Sequence, residues 1–252
     1  MNIKEVSKVS PSGEPARMTR PDGVWRGKLE VIGFTIEGCA IAQSAGVHRI
    51  ELCDNPADGG TTPSFGFIKA ARKILQIELY NMIRPRGGDF FYSNDEFEIM
   101  KEDIKISKQL GCDGIVLGML TKENKVDKSR FARLVELAYP LGVTFHRAFD
   151  RTADPLDALK DIIDMGCERI LTSGQKPNAL EGAQLIKQLI ERADDKITIM
   201  PGAGVRSDNI INLAEITNAS EFHSSARINT GENISVDRKE IEEMLKKLAS
   251  VQ

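Results

Sequence analysis

Two arginines flank a proline in the run Met82-Ile83-Arg84-Pro85-Arg86-Gly87-Gly88-Asp89. Pro85 has a fixed φ and pushes Arg84 out of the α region, so the chain leaves the preceding apolar stretch extended. Residues two apart in an extended chain point the same way, which predicts that Arg84 and Arg86 present their guanidinium forks together. Gly87 and Gly88 have no Cβ and let a ligand or another backbone come close. Paired forks beside bare backbone suit a carboxylate or a phosphate. The structural alternative is a knot in which Asp89 and other carboxylates neutralise both arginines.

Further groups of this kind stand at the ends of apolar runs. In Ile50-Glu51-Leu52-Cys53, alternation puts Glu51 and Cys53 on one face and the apolar pair on the other. A buried carboxylate needs a partner, and a buried thiol is either a small filler or a soft metal ligand. In Thr144-Phe145-His146-Arg147-Ala148-Phe149-Asp150, His146 faces inward with Thr144, and Arg147 and Asp150 follow. Glu51, His146 and Asp150 are therefore the candidate proton-handling groups of an enzyme. Arg147 and Ser173 join Arg84 and Arg86 as anion-binding candidates. So do Gly202 and Gly204 of Pro201-Gly202-Ala203-Gly204, a glycine-rich turn that feeds a helix N-terminus. His223 and Ser224, at the end of a further apolar run, complete that set.

These residues need a frame, and the frame is a repeat. Ala45-Gly46-Val47-His48-Arg49-Ile50, Leu110-Gly111-Cys112-Asp113-Gly114-Ile115 and Met165-Gly166-Cys167-Glu168-Arg169-Ile170 each read as a helix end, a glycine cap and an immediate strand. The pattern predicts strands at 29–35, 49–53, 77–83, 114–118, 143–147, 169–173, 197–201 and 221–225. Helices are expected at 36–45, 64–75, 94–110, 128–138, 155–165, 179–192, 207–216 and 237–249, with Asn94, Ser207 and Asp154 as N-caps. Eight strands alternating with helices argue an α/β fold, a TIM (β/α)8 barrel, with an additional helix at the C-terminus. A doubly wound sheet would want a glycine-rich turn after the first strand, and Phe34-Thr35-Ile36-Glu37-Gly38 is not one. Residues 1–27, punctuated by prolines and glycines, read as an N-terminal extension with Trp25 as its docking point, and residues 28–252 as one barrel domain. Function in such a barrel sits at the carboxyl ends of the strands. The 58–63 segment is expected to be a flexible loop over that mouth.

Bulk properties exclude several classes. A net charge of −3 over 252 residues gives no footprint for nucleic acid. No apolar run is long enough to span a bilayer, and the start of the chain lacks the apolar core of a signal peptide. Four cysteines without C-x-x-C pairing fit a reducing, cytoplasmic compartment. The partners expected are a metal ion or a small anionic molecule, and a homo-oligomer is left open.

Taken together, Ile50 to Cys53, Gly59-Gly60-Thr61-Thr62-Pro63-Ser64, Ile83 to Phe90, Val143 to Asp150, Leu171-Thr172-Ser173-Gly174 and Glu221-Phe222-His223-Ser224-Ser225-Ala226 closely resemble the copper homeostasis protein CutC family. The resemblance runs from about Leu29 to Arg227 and implies a TIM barrel linked to cytosolic copper handling and copper(I) binding. It also implies two cysteines near the barrel mouth as ligands. One matches Cys53; the other position holds Ile32. A second ligand would then come from Met82, Met119, Met200, His146 or His223. Two functions stay open: a non-enzymatic copper(I) protein with Cys53 as its metal ligand, and a barrel enzyme acting on a small anionic substrate.

Overall fold

Gly46, Gly111 and Gly166, the glycines of the repeat, take φ of +95°, +75° and +83°. Each turns the chain out of a helix through the left-handed region and straight into a strand. In the computed structural model, which describes residues 27–230 and 233–250, this delivers eight parallel strands. They are β1 (Lys28–Gly33), β2 (Arg49–Leu52), β3 (Glu78–Met82), β4 (Gly114–Leu117), β5 (Gly142–Phe145), β6 (Arg169–Thr172), β7 (Thr198–Pro201) and β8 (Glu221–Ser224). The ladder runs β7-β6-β5-β4-β3-β2-β1-β8, and β8 lies against β7, so the sheet curls into a TIM barrel. Helices α1 (Ile36–Ser44), α2 (Phe65–Ile74), α3 (Asn94–Gln109), α4 (Lys128–Ala138), α5 (Pro155–Asp164), α6 (Ala183–Ala193) and α7 (Ile210–Thr217) connect successive strands. The expected C-terminal helix follows as α8 (Arg238–Ser250). Of the N-terminal extension expected at 1–27, residues 1–26, Trp25 included, lie outside the described residues.

Local chemistry corrects two expected helix starts and bears out a third. The cap of α3 is Ser93, not Asn94: its hydroxyl accepts from the Glu96 N–H while Glu96 reaches back to the Ser93 N–H. Helix α7 starts at Ile210 rather than near Ser207, because Ser207 turns its N–H and hydroxyl to Glu240 at 2.7 and 2.8 Å. Asp154 caps α5 as expected, with Pro155 in the first turn. An antiparallel hairpin, β9 (Arg227–Thr230) and β10 (Asn233–Val236), stands between β8 and α8 where no strand was expected.

Two layers form the interior. Between strands and helices lies an apolar shell that includes Ile50, Leu52, Ile115, Phe145, Ile170 and Phe222. Inside the barrel the lower layer is charged. Arg49, 1% exposed, donates to Glu30, to Glu221 Oε2 at 2.6 Å and to Glu78 at 3.1 Å. Arg169 donates to the same Glu221 oxygen at 2.7 Å and to Thr144 at 3.1 Å. Both guanidinium groups lie on the Tyr80 ring, at 5.0 and 5.4 Å from its centre. A Cβ at Gly114 or Gly142 would fall 2.4 or 2.2 Å from Tyr80 atoms, so those two glycines make room for it. Burial works against both carboxylates, yet the surrounding cations outweigh it and hold Glu30 and Glu221 below the usual range.

Candidate functional site

Above the charged layer, at the carboxyl ends of the strands, opens a cavity of about 500 Å³. Glu51 and Met82 supply part of its wall from the second and third strands, and His146, Leu171 and His223 come from the ends of later ones. The strand alternation that sends Ile50 and Leu52 to the helices sends Glu51 and Cys53 inward.

His146 caps a short 3-10 turn, Arg147–Arg151, that follows β5. Its Nδ1 accepts the Ala148 N–H at 3.2 Å. A neutral imidazole that accepts at Nδ1 carries its proton on Nε2. Burial and the nearby Arg84 charge push its pKa down to about 3, so the ring stays neutral. Nε2 is buried and has no partner among the described residues. Gly118 leaves the space: a Cβ there would stand 2.5 Å from His146 Nδ1.

His223 and Glu51 face each other. His223 Nδ1 lies 2.8 Å from Glu30 Oε1, and Nε2 lies 3.7 Å from Glu51 Oε2. Burial disfavours the imidazolium, but Glu51 and Glu30 more than offset this and raise the His223 pKa. Burial pushes the Glu51 carboxyl up to about 7 against the pull of His223. Glu51 Oε1 is buried without a hydrogen-bond partner among the described residues. Glu30, Glu51 and His223 each offer one ligand atom within 4.8 Å of the others, a donor set of two oxygens and a nitrogen that suits a borderline or hard cation better than a soft one.

The predicted pair of arginine forks separates. Arg84 lines the cavity, its Nη1 on the Asp58 and Gly60 carbonyls at 2.7 and 2.8 Å and its Nη2 on the Gly88 carbonyl at 3.2 Å. Arg86 turns away to Glu96, to Asp89 at 2.9 Å and to the Phe91 carbonyl at 2.8 Å, so for Arg86 the structural knot is the correct picture. Gly87 admits Asp58 rather than a ligand; a Cβ would meet that side chain at 2.4 Å. The 58–63 segment is not loose: Arg84 grips it, and Asp54 pairs with Thr61 below it.

Other candidates are absorbed by structure. The Asp150 carboxylate accepts from Thr172 Oγ1 at 2.5 Å, from the Ser173 and Gln175 N–H groups and from Arg147 Nε at 2.8 Å. It clamps the loop after β6 and has no lone pair directed to proton transfer. Ser173 sits in that clamp, between Asp150 and the Lys176 carbonyl. Ser224 donates to the Val205 carbonyl at 2.6 Å, and the Gly202 N–H is taken by Thr172. Gly204 lines the cavity with Ala203, and both are left-handed, at φ +71° and +74°.

Cys53 lies just outside the cavity wall, fully buried with Ile32, Tyr80, Met82 and Val116. Burial and then the Glu51 charge push its thiol well above the ordinary range. Two sulfur-bearing side chains converge on the open side of Gly60: a Cβ there would meet Cys53 Sγ at 3.0 Å and the Met82 methyl at 3.7 Å. Sequence reasoning missed Glu30, Arg49, Arg169, Glu221 and Arg227. The signal for the first four was available, since each stands two residues before an inward position on its strand.

The CutC family model matches residues 27–228. A CutC family protein from Chromobacterium violaceum is 50% identical over 199 residues, which is 79% of this chain and 81% of the relative. A mouse relative named copper homeostasis protein cutC homolog is 48% identical and is matched over 73% of its length. Among solved structures, a CutC protein from Streptococcus agalactiae superposes with a TM-score of 0.76 at 35% identity, over 79% of this chain and 98% of that one. A thiamine phosphate pyrophosphorylase from Pyrococcus furiosus, at TM-score 0.60 and 15% identity, shares the fold alone.

Proposed function

The chain belongs to the CutC family, and from that membership we propose that it acts in copper homeostasis, holding copper(I) as cargo at the wall of the barrel mouth. Mouse and human relatives carry the copper homeostasis name. The observation that carries the reading to this chain is the placement of Cys53 and Met82 together against the same face of Gly60, in one cluster with Ile32. Copper(I) prefers thiolate and thioether donors, and these are the two soft side chains at that point. Glu51, two residues before Cys53 and coupled to its thiol, is the nearest group able to take the proton that metal binding must release. The hard cluster Glu30–Glu51–His223 orients that carboxylate rather than serving as the copper site. Four free buried cysteines support a reducing, cytoplasmic setting, and no helix among the described residues is long and apolar enough to cross a membrane.

Competition with a chromogenic copper(I) chelator tests this. Cys53→Ser is expected to weaken retention at least about tenfold, or roughly 1.4 kcal/mol, whereas Cys112→Ser and Cys167→Ser leave it unchanged. Ile32→Cys is expected to tighten it, because Ile32 pairs in register with Glu51 on the neighbouring strand and shares the Cys53 cluster. Equal retention by the wild type and Cys53→Ser would remove copper from the reading.

A further inference from the structure

The cavity holds more than a metal wall requires. Arg84 is only 6% exposed, yet among the described residues its guanidinium meets three backbone carbonyls and no carboxylate, and its Nε has no hydrogen-bond partner. A buried cation without a counter-charge is costly. Arg227, on the opposite side of the chain order, also lines the cavity. It rests on the Phe34 ring at 4.6 Å, forms no ion pair among the described residues and leaves its Nε unpartnered. The acids of the same cavity do not cancel these charges. Asp150 is saturated by its own donors. Asp58 takes the Asn55 amide at 2.6 Å and, among the described residues, makes no ion pair with either arginine, and Glu51 faces His223. A third buried atom, His146 Nε2, is a donor without an acceptor. The volume is that of a small-molecule pocket.

We propose that this cavity binds a small organic anion, a carboxylate or phosphate with a carbonyl or hydroxyl oxygen beside it, its charge held by Arg84 and Arg227 and that oxygen by the His146 Nε2–H. The phenyl rings of Phe90 and Phe34 fix the planes of the two guanidiniums, at 5.0 and 4.6 Å, so little side-chain freedom is lost on binding. The site's donors, Arg84, Arg227 and His146, are distinct from the Cys53 and Met82 sulfurs of the copper reading.

The probes are pyruvate, glycolate, 2-phosphoglycolate and inorganic phosphate, with chloride at equal ionic strength as the reference. At about a hundredfold excess over Kd, at least one organic probe is expected to raise the melting temperature of the full chain by roughly 5–10 °C beyond chloride. Arg227→Ala should erase that rise. His146→Asn keeps an acceptor where Nδ1 stands and deletes Nε2, so it should fold normally and weaken an organic probe about tenfold while sparing inorganic phosphate. Lys246→Ala, on an 80% exposed side chain of α8, should change nothing. With only three histidines in the chain, long-range nitrogen–proton NMR should also show the His146 Nε2 signal moving on titration. If all four anions behave as chloride does, or shift the wild type and Arg227→Ala alike, the proposal is wrong.

Discussion

Replacing Arg49 by Met is expected to lower the melting temperature by roughly 6–20 °C. Arg49 is 1% exposed and bridges Glu30, Glu78 and Glu221 from inside the barrel. Removing one member of a buried ionic set typically costs about 3–5 kcal/mol, because the remaining charges stay buried without compensation. For a chain of this size each kcal/mol moves the midpoint by about 2–4 °C. Arg169 still reaches Glu221, and His223 still reaches Glu30, so the loss falls short of leaving two bare carboxylates. The same network sets the acid limit of the fold. Glu30 and Glu221 titrate lower in the folded chain than in the unfolded one. Their contribution is therefore complete above the unfolded carboxyl pKa of about 4.5 and is lost as pH falls toward the folded values. Thermal denaturation at pH 7 checks the first point, and chemical denaturation from pH 3 to 7 checks the second. Wild-type stability should fall steeply below about pH 4.5, and Arg49→Met should flatten that limb. A midpoint within about 2 °C of wild type at pH 7 would mean that the charged layer is neutral to stability.

The second large effect has the opposite sign in pH. Glu51 ionises near 4.5 in an unfolded chain, but burial raises it to about 7 in the barrel. Stability from this group is whole below the lower value and drains away as pH rises through the upper one. A gap of that width is worth at most about 3 kcal/mol. His223, also raised, acts in the same direction. Glu51→Gln keeps the shape and removes the titration, so it should be more stable than wild type by about 1–3 kcal/mol at pH 8 and indistinguishable near pH 4.5. His146, Arg169 and Glu221 are common to both proteins and cancel in the difference, whereas His223 loses the part of its upward shift that Glu51 supplies. A stability difference that stays constant from pH 4.5 to 8 would contradict the burial-raised carboxyl.

The amino-acid sequence by itself determined the barrel and the direction in which its strand residues face. Both are local quantities. A glycine that must be left-handed ends three of the helices, and a period of two residues settles the face of every strand position. Glu51, Cys53, Thr144, His146 and His223 therefore fell inward as read, and Asp154 capped α5 for a reason visible within four residues. Only the tertiary structure decided what the long polar side chains do. Arg84 and Arg86 leave the chain two residues apart, but the former is claimed by carbonyls of residues 58, 60 and 88 and the latter by Glu96 and Asp89. Asp150 looked like an acid–base group until the loop after β6 filled its oxygens. The charged layer brings together Glu30, Arg49, Arg169 and Glu221 from four strands, which no sequence spacing links. An extended backbone fixes where a side chain starts. Where a guanidinium or carboxylate four or five bonds further on comes to rest depends on partners supplied by barrel closure, and those partners are remote in the chain.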